Sequence, residues 1–196
     1  MILVTGAAGK SGNAVVKALA AKGAPVRAFI RNPAHAGALL ALGATASGVH
    51  AMIVEVDPQT FALNVLKYVV VHDCGTVINP LILAGQIHGG VAQGIGNAFY
   101  EQLVFDEDGQ LLNASLADYL LPTALEVPHM EIAHTVTESP LNPLGIKGAG
   151  EAGAIPVGPL FAQAIEDALG LLEQKVELNE IPLSPGRLFE LTAKLR

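Results

Sequence analysis

Two sets of residues in this chain have types and spacings that could do chemistry. The first is Gly6, Gly9 and Gly12 within Thr5-Gly6-Ala7-Ala8-Gly9-Lys10-Ser11-Gly12, directly after the apolar run Met1-Ile2-Leu3-Val4. Glycines at a strand-to-helix turn let backbone N–H groups at a helix N-terminus approach a pyrophosphate; the same glycines could serve only to close a strand onto a helix. The second set is polar residues set among glycines: Gln86 and Gln93 in the stretch 85–96, and Lys147, Gly148, Gly150 and Glu151 further on. A carboxylate such as Glu151 works as a base if burial raises its pKa, or it is an exposed acid favoured by the dipole of a following helix. By themselves Gln86 and Gln93 read as satisfied polar residues, with Gly85, Gly89 and Gly90 allowing close helix packing.

Other reactive residue types offer less. The six histidines (35, 50, 72, 88, 129 and 134) form neither HxxxH nor HExxH, so no metal cluster is expected. Cys74 is the single cysteine, which leaves no disulfide framework, thiolate zinc site or iron–sulfur ligand set. In its turn it is expected to be a packed, inert thiol.

The elements that must position these residues follow from periodicity. Met1–Val4 reads as a strand, Val15, Val16 and Leu19 keep helical spacing to Gly23, 24–30 reads as a second strand, and 33–42 as an alanine-rich helix ended by Gly43. This is a βαβ unit plus a helix. Alternation begins at Met52-Ile53-Val54-Glu55-Val56, and 63–71 can pair back across the turn at Asp57-Pro58. Residues 80–101 read as a glycine-rich helix, and 103–105 with 110–112 flank Asp106-Glu107-Asp108-Gly109 as a second hairpin. From Gly158 to Leu172 the apolar residues predict an amphipathic helix. Ser184 before Pro185 predicts an N-cap opening a last helix through Leu188, Phe189 and Leu195.

The chain has 196 residues, 51% hydrophobic and 15% charged, enough for one ordinary core or two small ones, which excludes general disorder. A net charge of -7 argues against nucleic-acid binding. Residues 1–48 hold five basic residues and no acid, whereas the rest holds six basic against eighteen acidic. That asymmetry, with the change of texture near Gly48, predicts two units, 1–48 and 49–196. The start lacks a charged n-region, so no signal peptide is expected and the compartment reads as cytoplasmic. Residues 81–100 are uncharged and hold a Gly85–Gly89 GxxxG spacing, but Gln86, His88, Gln93 and Asn97 would each need a partner in lipid, so no membrane span is expected.

The opening strand and turn resemble the NmrA-like and atypical short-chain dehydrogenase NAD(P)-binding families over residues 1–45. In such folds the end of the second strand holds an acid for ribose hydroxyls or a basic residue for a 2′-phosphate. Arg31-Asn32 stands there. The resemblance therefore implies NADP over NAD, bound by Gly6, Gly9, Lys10, Ser11 and Gly12 with Arg31 as charge partner, and an NADP-dependent reductase as one function.

A longer resemblance rests on three segments. They are His72-Asp73-Cys74-Gly75-Thr76-Val77-Ile78-Asn79-Pro80, Gly85-Gln86-Ile87-His88-Gly89-Gly90-Val91-Ala92-Gln93-Gly94-Ile95-Gly96, and Asn142-Pro143-Leu144-Gly145-Ile146-Lys147-Gly148-Ala149-Gly150-Glu151. With Asp118-Tyr119-Leu120-Leu121-Pro122 between them, residues 50–190 resemble the xanthine dehydrogenase and aldehyde oxidase family, nearest the molybdopterin-binding large subunit of the aerobic carbon monoxide dehydrogenase type. The resemblance implies a mixed α/β (α+β) fold class, a partial Rossmann-like unit followed by an incomplete molybdopterin-binding domain. It implies molybdopterin as cofactor, Glu151 as the base in hydroxylation of an electron-poor carbon, Gln86 against the pterin edge, and Lys147, Gly148 and Gly150 bringing backbone close to the pterin. Iron–sulfur and flavin partner subunits, a small-molecule substrate and a chain supplying the rest of the pocket follow, with little turnover by the isolated chain. A non-catalytic fusion fragment acting as an interaction module is the reading from another class. Phe61-Ala62-Leu63 replaces the family's usual glycine turn, so the hairpin after Asp57 is expected to be altered.

Overall fold

The structure, a computed structural model, describes residues 2–5, 26–29, 47–174 and 176–193. Five strands form one mixed sheet: β1 (Ile2–Thr5), β2 (Val26–Phe29), β3 (Ser47–Val56), β4 (Leu63–Asp73) and β5 (Met130–His134), in the order β2-β1-β3-β4-β5. β1 pairs parallel with β2, as a βαβ unit requires, and antiparallel with β3. Gly48, where the texture of the sequence changes, lies inside β3. The helices expected at 15–22 and 33–42 lie outside the described residues.

The long hairpin β3–β4 carries the architecture. Its register runs from Ser47↔Asp73 to Val56↔Leu63 and shifts between Ile53 and Val54. The irregularity changes which residues of β4 face inward: Leu63 and Val65 before it, Tyr68, Val70 and His72 after it. Without that shift His72 would face the opposite side of the sheet. The hairpin forms despite its unusual turn. Phe61 takes a left-handed conformation, φ 58°, where a glycine would be at ease. Its ring is buried and meets Phe189 edge-on at 6.4 Å, while its N–H donates to the Asp57 carbonyl at 2.8 Å.

Helix α1 (Pro80–Phe99) starts where Pro80 can no longer donate and the Asn79 side chain accepts from the Ile82 N–H at 3.1 Å. It buries Leu83, Ile87, Val91 and Ile95 along one face. Helix α2 (Val157–Ala168) packs across it, with Phe99 and Phe161 edge-on at 4.7 Å. Its end corrects the expectation of one helix to Leu172: Gly170 adopts φ 66° and breaks it, leaving a 3-10 turn at Leu171–Gln174. Helix α3 (Pro185–Ala193) begins as read, the Ser184 hydroxyl accepting from the Arg187 N–H at 3.3 Å. The expected hairpin over 103–112 reduces to one bridge, Phe105↔Leu111. Strand β5, absent from the sequence reading, lies parallel to β4 with Tyr68↔Met130 in register. Among the described residues no helix is long and apolar enough to cross a membrane.

Candidate functional site

Two of the segments singled out above, 72–80 and 142–151, meet at the C-terminal end of β4. Gly75 takes φ +69°, and any Cβ there would run into the Gly145 carbonyl, so the 74–76 turn and the 145–147 strand-like segment meet backbone to backbone at this glycine. The Thr76 and Ser139 N–H groups both donate to the Gly145 carbonyl at 3.1 Å, and the Lys147 N–H donates to the Cys74 carbonyl at 2.8 Å. Asn142 closes this loop on itself. Its side chain accepts from the Ile146 N–H at 3.1 Å and donates to the Ile146 carbonyl at 2.8 Å.

Asp73 sits beneath the turn, buried, with its Oδ1 accepting from the Gly75 N–H at 2.8 Å, the Thr137 N–H at 3.2 Å and the Lys147 Nζ at 3.4 Å. Burial by itself would raise this carboxyl's pKa. The hydrogen bonds from Gly75 and Thr137 and the charge of Lys147 outweigh it and hold the group below its usual range. Burial pushes the adjacent Cys74 thiol up, so it stays protonated and packed as expected.

The third segment is fastened from the other side. A Cβ on Gly153 would lie 2.6 Å from the Ile87 carbonyl oxygen, and one on Gly90 would lie 2.9 Å from the Gly153 Cα. Two glycines therefore let the 151–156 turn lie directly on α1. The Glu151 carbonyl accepts from the Ala154 N–H at 3.0 Å, starting the turn that leads into α2. Glu151 itself is exposed, so the burial expected of a base is not supplied by the described residues, and Gln86, one residue before the Ile87 that Gly153 touches, is exposed as well. Around them Gly85, Gly89, Gly148 and Gly150 have nothing within 4 Å of a Cβ position. At these four positions the backbone is open to close approach.

The structure thus brings Lys147, Gly148, Gly150 and Glu151 onto one loop and ties that loop both to β4 and to the α1 turn next to Gln86. The Lys147 side chain is 7% exposed and its ammonium faces Asp73. Gly6, Gly9, Lys10, Ser11, Gly12 and Arg31 lie outside the described residues.

Two buried histidines behind this face were not singled out by sequence. His50 Nδ1 lies 2.9 Å from the Tyr68 hydroxyl, with the rings edge-on at 5.7 Å. Burial lowers the His50 pKa to about 4, helped by nearby His72 and opposed by the Ala152 carbonyl. His72 is also lowered, first by burial, and neither of its ring nitrogens has a hydrogen-bond partner among the described residues. Because His50 binds fewer protons folded than unfolded, its contribution is complete above pH 6.5 and is lost as pH falls towards 4, about 3 kcal/mol in all. Urea unfolding midpoints should therefore drop across that window, and His50→Gln should flatten the slope. An equal slope in the variant would show that other groups cause it.

Comparison with known proteins agrees with this geometry. The family model of the molybdopterin cofactor-binding domain matches residues 12–128. The chain is 45% identical over 121 residues to the carbon monoxide dehydrogenase large chain of Hydrogenophaga pseudoflava, covering 62% of this chain and 15% of that one. It is 42% identical over 146 residues to the nicotine 6-hydroxylase large subunit of Paenarthrobacter nicotinovorans, covering 74% and 18%. The crystal structure of quinoline 2-oxidoreductase from Pseudomonas putida 86 superposes with a TM-score of 0.71 at 46% identity, over 76% of this chain and 19% of that one. The chain thus spans less than a fifth of the length of each of these relatives. With its motif segments assembled into one loop-and-helix face, the chain belongs to the molybdopterin cofactor-binding domain family found in the large subunits of molybdenum hydroxylases.

Proposed function

We propose that this chain forms one wall of a molybdopterin pocket in a molybdenum hydroxylase, with Glu151 as the base. The observation that carries the reading is the convergence of the 74–76, 86–90 and 145–153 segments through backbone contacts that only glycines permit. The residues fit the group. A pterin is flat with donor and acceptor edges, and the open Cβ positions of Gly85, Gly89, Gly148 and Gly150 leave room for a ring beside the exposed Gln86 amide. When bound, molybdopterin supplies the two-electron chemistry for hydroxylating an electron-poor carbon of a small molecule.

This chain's own residues bind and orient. Gln86 meets the pterin edge, Gly148 and Gly150 allow close backbone approach, and Glu151 takes a proton from the oxygen nucleophile at its carboxylate. Iron–sulfur and flavin partner subunits would carry the electrons away. Exposed Ile78, Leu81 and Ile82 at the start of α1, and Leu116, Leu120 and Leu125 further on, support a further chain or segment that covers this surface and completes the pocket. The division into units 1–48 and 49–196 goes with this reading, the parallel β1–β2 pairing supporting an N-terminal NADP-binding turn at Gly6, Gly9, Lys10, Ser11 and Gly12 with Arg31.

The test is pterin content, measured by fluorescence after oxidative release, in chain purified from a host that makes the cofactor. Gln86→Ala should cut the retained pterin about tenfold, the worth of one or two hydrogen bonds, without moving the unfolding midpoint. Equal pterin in parent and variant would remove Gln86 from the site.

A further inference from the structure

Lys147 lies in the segment that the molybdopterin reading sets against the cofactor, and a lysine there invites the reading that its ammonium meets a negative group on the ligand. The geometry points elsewhere. The Lys147 side chain is 7% exposed and that of Asp73 4%, and they face one another at 3.4 Å. The oxygen that receives Lys147 also receives the N–H groups of Gly75 and Thr137, so one atom joins the end of β4, the segment after β5 and the 145–151 loop. Beside it the Lys147 backbone N–H holds the Cys74 carbonyl at 2.8 Å, which fastens the same loop at main-chain level. Such a buried pair is costly to form from hydrated ions and much costlier to leave half made, so it strongly favours one arrangement of the groups it joins. Near neutral pH the Asp73 carboxylate is ionised, since the hydrogen bonds from Gly75 and Thr137 and the neighbouring Lys147 hold its pKa down.

We propose that Asp73 and Lys147 act as a buried positioning pair: their ion pair sets the loop that carries Gly148, Gly150 and Glu151, and the Lys147 ammonium is not itself a ligand of the cofactor. The link to cofactor rests on the molybdopterin reading above, but the positioning does not.

The two roles for Lys147 give opposite signs. If its ammonium bound an anionic group of the cofactor, Asp73→Asn would free that charge and strengthen retention, and only Lys147→Met would weaken it. A positioning pair makes Asp73→Asn and Lys147→Met both harmful and the double variant no worse than the worse single one, because the two side chains act as a unit. The first measurement is amide hydrogen exchange on cofactor-free chain. Asp73→Asn, which keeps shape and an acceptor oxygen, should speed exchange at the Lys147 and Thr137 amides by about tenfold or more while the Tyr68 and Ile87 amides stay protected. Unchanged exchange at Lys147 and Thr137 overturns the proposal, as does uniform loss of protection across the chain. The second is retained pterin: a fall in both single variants supports the proposal, and a gain in Asp73→Asn overturns it. Faster local exchange in a chain whose parent retains no pterin would uphold the positioning pair and reject the molybdopterin reading.

Discussion

A chain carrying Gly153→Ala is expected to unfold about 1–3 kcal/mol more easily than the parent and to retain little molybdopterin. The added methyl would sit 2.6 Å from the Ile87 carbonyl oxygen and 3.1 Å from the Gly90 Cα. Both contacts are backbone, within a helix whose own hydrogen bonds resist displacement, so the 151–156 turn must move instead. That movement carries Glu151 away from Gln86, which explains why both stability and cofactor retention fall. Gly158→Ala is the control. Its Cβ meets nothing within 4 Å, and it lies in α2, where alanine favours the helix. Thermal unfolding and pterin release on the two variants decide the matter; equal behaviour of both would mean that the Gly153 contact does not hold the loop.

The second large effect is on chemistry. Glu151→Gln, in the complex with its partner subunits, should bind cofactor as the parent does and lose turnover by about 10²- to 10⁴-fold, the range for removing a positioned base. The side chain is exposed at the head of a turn, so the amide replaces the carboxylate without a packing cost. Glu107→Gln, which removes an exposed acid from the 106–109 turn instead of the candidate face, should leave the rate within about twofold. Dye reduction with a panel of electron-poor heterocycles and aldehydes reads the difference. Retained turnover in the Gln variant would assign the base to another residue.

Much of this layout was legible in the residues because it is encoded locally. The glycine-rich run from Pro80 reads as a helix, Ser184-Pro185 marks the start of another, and alternation with Asp57-Pro58 marks the hairpin. The misreadings have equally local causes. Leu172 keeps the period of α2, but with Gly170 in the left-handed region the helix ends at Ala168, four residues earlier, a signal available in the sequence and outweighed by periodicity. Strand β5 is five residues long, with Glu131 and His134 in it, and exists because β4 offers an unpaired edge. The site divides in the same way. Glu151, Gln86 and the loop glycines stand in recognisable runs, whereas Asp73 acquires its role from donors 64 and 74 residues away. Buried His50 and Tyr68 find each other only across two paired strands. No spacing rule exposes such contacts, since they depend on strand register and on the irregularity near Ile53.

Molybdenum per chain, by elemental mass spectrometry on protein purified from a cofactor-making host together with its partner subunits, tests the central claim most directly. Near-stoichiometric molybdenum, lost in Gly153→Ala and kept in Glu151→Gln, is the expected result. Molybdenum at background level in the parent would contradict it and show that this face holds no cofactor.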